Sequence, residues 1–234
     1  MRPINILLTL LSLNAILVIV ERISPTTKII LQPYNFLRVH EVFQMTVVIM
    51  LSIVLSFLLL KVLSKNFELL KSKKGTIIGV IFVLGIYFTA TGNGLHEVAS
   101  FLFNTFCDTK SVKEDVCGSM FFNDYYFGNI VYFVGLLMGN ISLILFERMN
   151  PQKLVSIKDT IITIANGLVY ALMLFAYAAF DRVLVGFYFV VVAAIVCGFL
   201  LLASRKKPKS LPFTLYTTVA YTVSSIATFL VRFH

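Results

Sequence analysis

Residues 76–106 read TIIGVIFVLGIYFTATGNGLHEVASFLFNTF. The first twenty of these carry no charge and, at about 1.5 Å per residue, cover the roughly 30 Å hydrocarbon core of a bilayer. A membrane-spanning helix is the reading this predicts. His96 and Glu97 then follow inside the same apolar stretch. A charged side chain near the bilayer centre costs about 2.5–3.5 kcal/mol on insertion scales, so such residues face a bundle interior or a wet cavity. Since ten more residues continue the run, the helix must tilt, protrude, or break at Thr91-Gly92-Asn93-Gly94.

Working outward, comparable apolar runs fall at 4–20, 40–63, 121–146, 159–180, 183–203 and 211–230. Each reaches the length of about 17–25 residues that a spanning helix needs. The six prolines lie outside the span interiors, with Pro212 in a first turn, as uninterrupted helices require. The chain is 59% hydrophobic and 13% charged, against about 25% charged in soluble domains. That excludes a soluble globular domain. The expected fold is all-α: a polytopic, multi-pass membrane protein with seven transmembrane helices in a single domain, 1–234. No internal repeat or low-complexity segment interrupts it. The first run lacks a small-x-small cleavage site before Glu21, so it is expected to be a retained helix rather than a signal peptide.

The formal net charge of +9 is a topology signal, and no nucleic-acid partner is expected. One set of loops carries Arg2, Lys61, Lys65, Lys71, Lys73, Lys74, Arg148, Lys153, Lys158, Arg205, Lys206, Lys207 and Lys209. The other carries Arg22, Lys28, Arg38, Lys110, Lys113, Arg182 and Arg232. The positive-inside rule then predicts a cytoplasmic N-terminus and an outside C-terminus in the cell membrane. The basic clusters would meet anionic headgroups of the lipid bilayer. Residues 21–39, rich in Ile, Leu, Tyr and Phe, would lie along the interface. Cys107 and Cys117 bracket a short polar loop on the outer side, where a disulfide can persist. Cys197 reads as a small buried hydrophobe.

Few polar residues remain to suggest function. His40-Glu41 opens the second run, where an interfacial cap is the simpler account. Asp124 opens the fourth, where it could be an N-cap. Asp181-Arg182 reads as a turn ion pair. His96-Glu97 resists such explanations, and all of these fall in the outer half. Asn93, His96, Glu97 and Ser100 share one helical face, and Asp124 or Tyr125 with Gly128 and Asn129 makes another. A pocket between the second, third and fourth helices follows. Gly135 and Gly139 form a GxxxG that predicts a close crossing of the third and fourth helices.

Imidazole and carboxylate suit Zn or another divalent metal. His40, His96 and Asp124 are the candidate ligands, with Glu97 as general base. Glu41, Asn93, Tyr125 and Asn129 are candidates for binding an amphiphilic small molecule. No HExxH is present, and adjacent helical side chains point about 100° apart, so His96 and Glu97 cannot easily share one ion.

Seven helices with a cytoplasmic N-terminus resemble, in architecture, the superfamily of alkaline ceramidases and adiponectin-type receptors. That resemblance implies zinc held between helices and a His-x-x-x-His pair on the last helix. Residues 211–230 contain no histidine, so the family's site transfers to no residue here. The expectation drawn is a metal-dependent hydrolase of a lipid-like substrate. The alternatives are a ligand- or ion-binding transporter or sensor, and a structural subunit of a membrane complex. A rhodopsin is disfavoured, because the last helix has no lysine for retinal.

Overall fold

The computed structural model describes residues 3–152, 156–204 and 210–234. Arg2, Lys153 and the cluster Arg205, Lys206, Lys207 and Lys209, all used in the orientation reading, lie outside the described residues. Among the described residues, seven helices are long and apolar enough to cross a membrane. They are α1 (Pro3–Arg22), α2 (Val39–Leu63), α3 (Lys73–Phe106), α4 (Val116–Met149), α5 (Ile157–Phe180), α6 (Val185–Leu202) and α7 (Pro212–Phe233). This points to an all-helical, multi-pass membrane protein. The outward surface agrees: Ile195 and Phe199 on α6 are each 66% exposed, and apolar side chains of that size in quantity belong against lipid rather than water.

One end of the bundle carries the Cys107–Cys117 disulfide. We call it the disulfide end, and the opposite one the basic end. The α3 stretch does not break at Thr91–Gly94. It is one helix of 34 residues, about 51 Å long at the standard rise, so it extends beyond the hydrocarbon core. The fourth helix begins earlier than its hydropathy indicated. Asp115 caps it, its carboxylate accepting from the Cys117 and Gly118 amides at 2.8 and 3.2 Å. Asp124 therefore is not an N-cap: it sits inside the helix, two turns further on.

Two spans are locally under-wound. Gln44–Val48 in α2 and Asn123–Gly128 in α4 are π-helical turns. Each shifts the side-chain register that an ideal helix would give.

The helices are joined by small residues and polar side chains rather than by apolar contrast, as lipid surroundings require. The closest crossing is α3 on α4. A Cβ placed on Gly92 would lie 2.2 Å from the Tyr132 amide nitrogen, and one on Gly135 would lie 2.3 Å from that of Thr89. At Gly128 it would meet the His96 backbone at 3.0 Å. Gly139 is different, since a Cβ there meets nothing within 4 Å. Of the GxxxG pair, both backbones approach α3, since a Cβ on Gly85 would lie 2.7 Å from the Gly139 nitrogen, but only Gly135 points its Cβ position into the crossing.

At the basic end, Asn5 on α1 donates to Asp159 Oδ1 on α5 at 3.1 Å and accepts from Thr163 Oγ1 at 3.1 Å. Glu147 is fully buried near the end of α4. Its carboxylate accepts from the Phe213 and Thr214 amides at 2.7 and 2.8 Å and from Thr214 Oγ1 at 2.6 Å. It caps α7, whose first position is Pro212.

Candidate functional site

The seam of glycines brings the His96 backbone against Gly128, and this delivers His96 to Asp124. His96 Nδ1 lies 2.8 Å from Asp124 Oδ1 and 3.2 Å from the Asp124 carbonyl oxygen. The ring N–H is aligned with the carbonyl, so the carboxylate acts on the ring as a close charge rather than as a well-directed acceptor. Asp124 is fully buried, and among the described residues neither of its carboxylate oxygens has a hydrogen-bond partner. The π turn places it there.

Glu97 does not join that pair. It is 5% exposed, and among the described residues it makes no hydrogen bond and no ion pair within 4.0 Å. Its side chain lines a cavity inside the bundle. Every helix contributes to the wall: Leu11, Val48, Phe82, Leu136, Tyr170, Val190 and Phe213 come from α1 to α7 in turn. The lining runs from Gln44 to Leu59 and from Phe82 to Glu97, about 22 Å of helix at 1.5 Å per residue. Its volume is about 130 Å³, space for on the order of ten waters.

The polar groups gather at the disulfide end of this cavity: Arg22, Gln44, Asn93, His96, Glu97 and Asn129 all line it. The Arg22 guanidinium stands 5.7 Å from the Tyr177 ring centroid. Arg22 and Glu97 both act electrostatically on the hydroxyls of Tyr132 and Tyr177, so the two charges surround one pair of phenols. Asn129 accepts from Tyr177 Oη and donates to Asp181 Oδ2 at 3.3 Å. Burial pushes the Asp181 carboxyl above the usual carboxylate range, while the Arg182 amide, donating at 2.7 Å, opposes that.

The structure divides the sequence-derived set. Asn93, His96, Glu97 and Asn129 line the cavity, whereas His40, Glu41, Asp124 and Tyr125 do not. Glu41 is occupied in the first turn of α2. It accepts from Arg38 Nε at 2.8 Å, from the Arg38 terminal nitrogen, and from the Arg38 amide at 2.9 Å, which is the capping role. His40 lies 3.7 Å from Glu21 Oε1. Tyr125 instead faces the Arg182 guanidinium, 5.7 Å from its ring.

Arg182 does not pair with Asp181 as a turn ion pair. It donates to the Thr109 carbonyl and spreads over Phe103, Phe121 and Tyr125. Among the described residues no three His, Cys, Asp or Glu side chains converge as a metal-ligand group. His40, His96 and Asp124 are therefore not assembled as one ligand set, and His96 and Asp124 stand as a pair.

Sequence reasoning missed Arg22, Asn14, Gln44 and Tyr177. Asn14 is the least legible of these, an amide in mid-helix on α1. Its Nδ2 donates to Ser52 Oγ at 2.8 Å, and its Oδ1 is buried without a partner. The signal available was an Asn inside a leucine-rich span, which in lipid is costly unless it meets another helix or a cavity.

No family model matches the chain, and neither the curated proteins nor the solved structures give a match.

Proposed function

We propose that the protein binds an amphiphilic small molecule inside the seven-helix bundle, its polar head among Arg22, Asn93 and Glu97 and its tail along the rest of the channel. One observation carries this. Two buried polar atoms without hydrogen-bond partners, Asn14 Oδ1 and Asn93 Nδ2, belong to residues that line the same cavity as Glu97, which makes no hydrogen bond among the described residues. Each buried polar atom left unpaired costs about 1–3 kcal/mol, and a ligand carrying complementary groups removes that cost. The loop charges assign the disulfide end to the outside of the cell membrane and the N-terminus to the cytoplasm.

The test is extraction and mass spectrometry of lipids bound to the purified protein, compared with Gly139→Leu. A side chain at position 139 enters the cavity without meeting any backbone. Wild type is expected to retain an amphiphile in stoichiometric amount and Gly139→Leu to lose it. Equal retention by both would place the molecule on the outer surface and sink the reading.

Hydrolysis of that amphiphile is a second reading, favoured by the His96–Asp124 contact. Holding Nδ1 leaves Nε2 as the acceptor nitrogen of a neutral imidazole that lines the cavity, the form a general base on water needs. A metal-assisted version with Zn or another divalent ion needs a ligand besides His96 and Asp124. Release of fatty acid from ester and amide amphiphiles by wild type, absent in His96→Ala, checks it. No turnover by wild type would end the hydrolase reading and leave the binding one standing.

A further inference from the structure

We infer that the head of the bound amphiphile is zwitterionic, its ammonium seated on Glu97 and its phosphate or carboxylate on Arg22, with its alkyl chain in the channel. This rests on the binding reading above. It comes from how the two charges are left. Glu97 is buried and makes no hydrogen bond among the described residues, while Arg22, an exposed residue, donates none there either and lays its guanidinium by the Tyr177 ring. Both line one end of one cavity. An ion pair between them would be the ordinary way to offset several kcal/mol of carboxylate desolvation. No such pair within 4.0 Å is present. Opposite charges that face one space without closing on each other leave room for a group that carries both signs.

The neighbours narrow the choice. His96 is held on its Nδ1 side by Asp124, and Gln44 Nε2 is directed at the Val18 carbonyl, so neither is the first choice to answer an anion. Asn93 Nδ2 is a buried donor without a partner, one turn before Glu97 on the same face of α3. It can assist the anionic group or an adjacent ester carbonyl. A purely cationic head would satisfy Glu97 and be repelled by Arg22, and a purely anionic head the reverse. A neutral head would leave the buried Glu97 carboxylate without a counterion. The channel's length of about 22 Å exceeds the roughly 15 Å that one leaflet gives an acyl chain.

The experiment uses four dodecyl probes of equal chain length on the purified full chain in amphipol, below their micelle concentrations. They are dodecylphosphocholine, dodecyltrimethylammonium, dodecanoate and dodecyl maltoside, with binding read as the rise in unfolding midpoint with concentration. Dodecylphosphocholine is expected to bind at least tenfold tighter than either singly charged chain. In Arg22→Gln the cationic chain should draw level with it, and in Glu97→Gln the dodecanoate chain should. If wild type binds the zwitterion no tighter than the singly charged chains, the head assignment is overturned, and this comparison needs no variant to fold. If all four bind alike and Gly139→Leu abolishes them all, the cavity reading stands and the zwitterion falls. Should none of the four bind wild type, the binding reading itself fails, and this inference with it.

Discussion

At position 97 the chain keeps a carboxylate where it stabilises nothing in the fold. Glu97 is buried and has no hydrogen-bond partner among the described residues. Glu97→Gln is therefore expected to raise the unfolding midpoint in detergent, by the equivalent of about 1 kcal/mol or more, while weakening ligand binding. That trade of stability for function is what a site residue shows. A fall in the midpoint would instead mean that the carboxylate supports the bundle. Glu147 makes the opposite case. It too is a fully buried acid, but three donors from the start of α7 close on it. Glu147→Ala leaves two amides and a hydroxyl unanswered, a loss of about 2–4 kcal/mol measured as a lower midpoint. Glu147→Gln should lose less, because one carbonyl acceptor survives. Composition does not distinguish these two acids; only their partners do.

At the scale of elements, the α3–α4 crossing decides whether the site exists. Gly92→Ala would push a methyl into the Tyr132 backbone and is expected to cost about 1–3 kcal/mol as overpacking. Gly139→Ala on the same helix pair should be nearly neutral, since its Cβ meets open space. Unfolding midpoints of the two variants, side by side, check the distinction. The GxxxG was legible in the sequence, and so was the close crossing it predicts. That Gly139 packs through its amide nitrogen against Gly85 while its own Cβ direction is open was not, because which face of a helix meets a neighbour depends on the neighbour. The π turns explain a further gap. The apolar run starting at residue 121 put Asp124 at a helix start, whereas the under-wound turn at Asn123–Gly128 and the early cap at Asp115 bury it beside His96.

For the whole molecule, the disulfide and the loop charges make one joint expectation. Cys107 and Cys117 are bonded across a Cα separation of 5.7 Å, and the loop they close joins α3 to α4. Replacing both by Ser should lower stability by about 2–3 kcal/mol, the range for a short closed loop. Single cysteines placed on that loop at Lys110 and at Lys71 of the basic end should label from opposite faces of intact cells, Lys110 from outside. Labelling of Lys71 from outside would reverse the orientation. The loop after α1 fits the same frame, with Ile23, Tyr34 and Phe36 strongly exposed, the pattern of a segment lying against headgroups.

The sequence by itself determined seven spanning helices, their boundaries within a few residues at most ends, and the disulfide. These follow from length, hydropathy and spacing, which are local properties that lipid makes unusually strict because every backbone group must be bonded within its own helix. It also singled out His96-Glu97 as the pair without a cheap explanation. Tertiary structure decided what that pair meets. His96 turns to Asp124, Glu97 turns to a cavity walled by all seven helices, Glu41 is taken up by Arg38, and His40 stands 3.7 Å from Glu21 without a hydrogen bond at Nδ1 among the described residues. Neighbours on one helix point about 100° apart, so two adjacent residues meet different partners, and those partners are fixed by packing across the bundle.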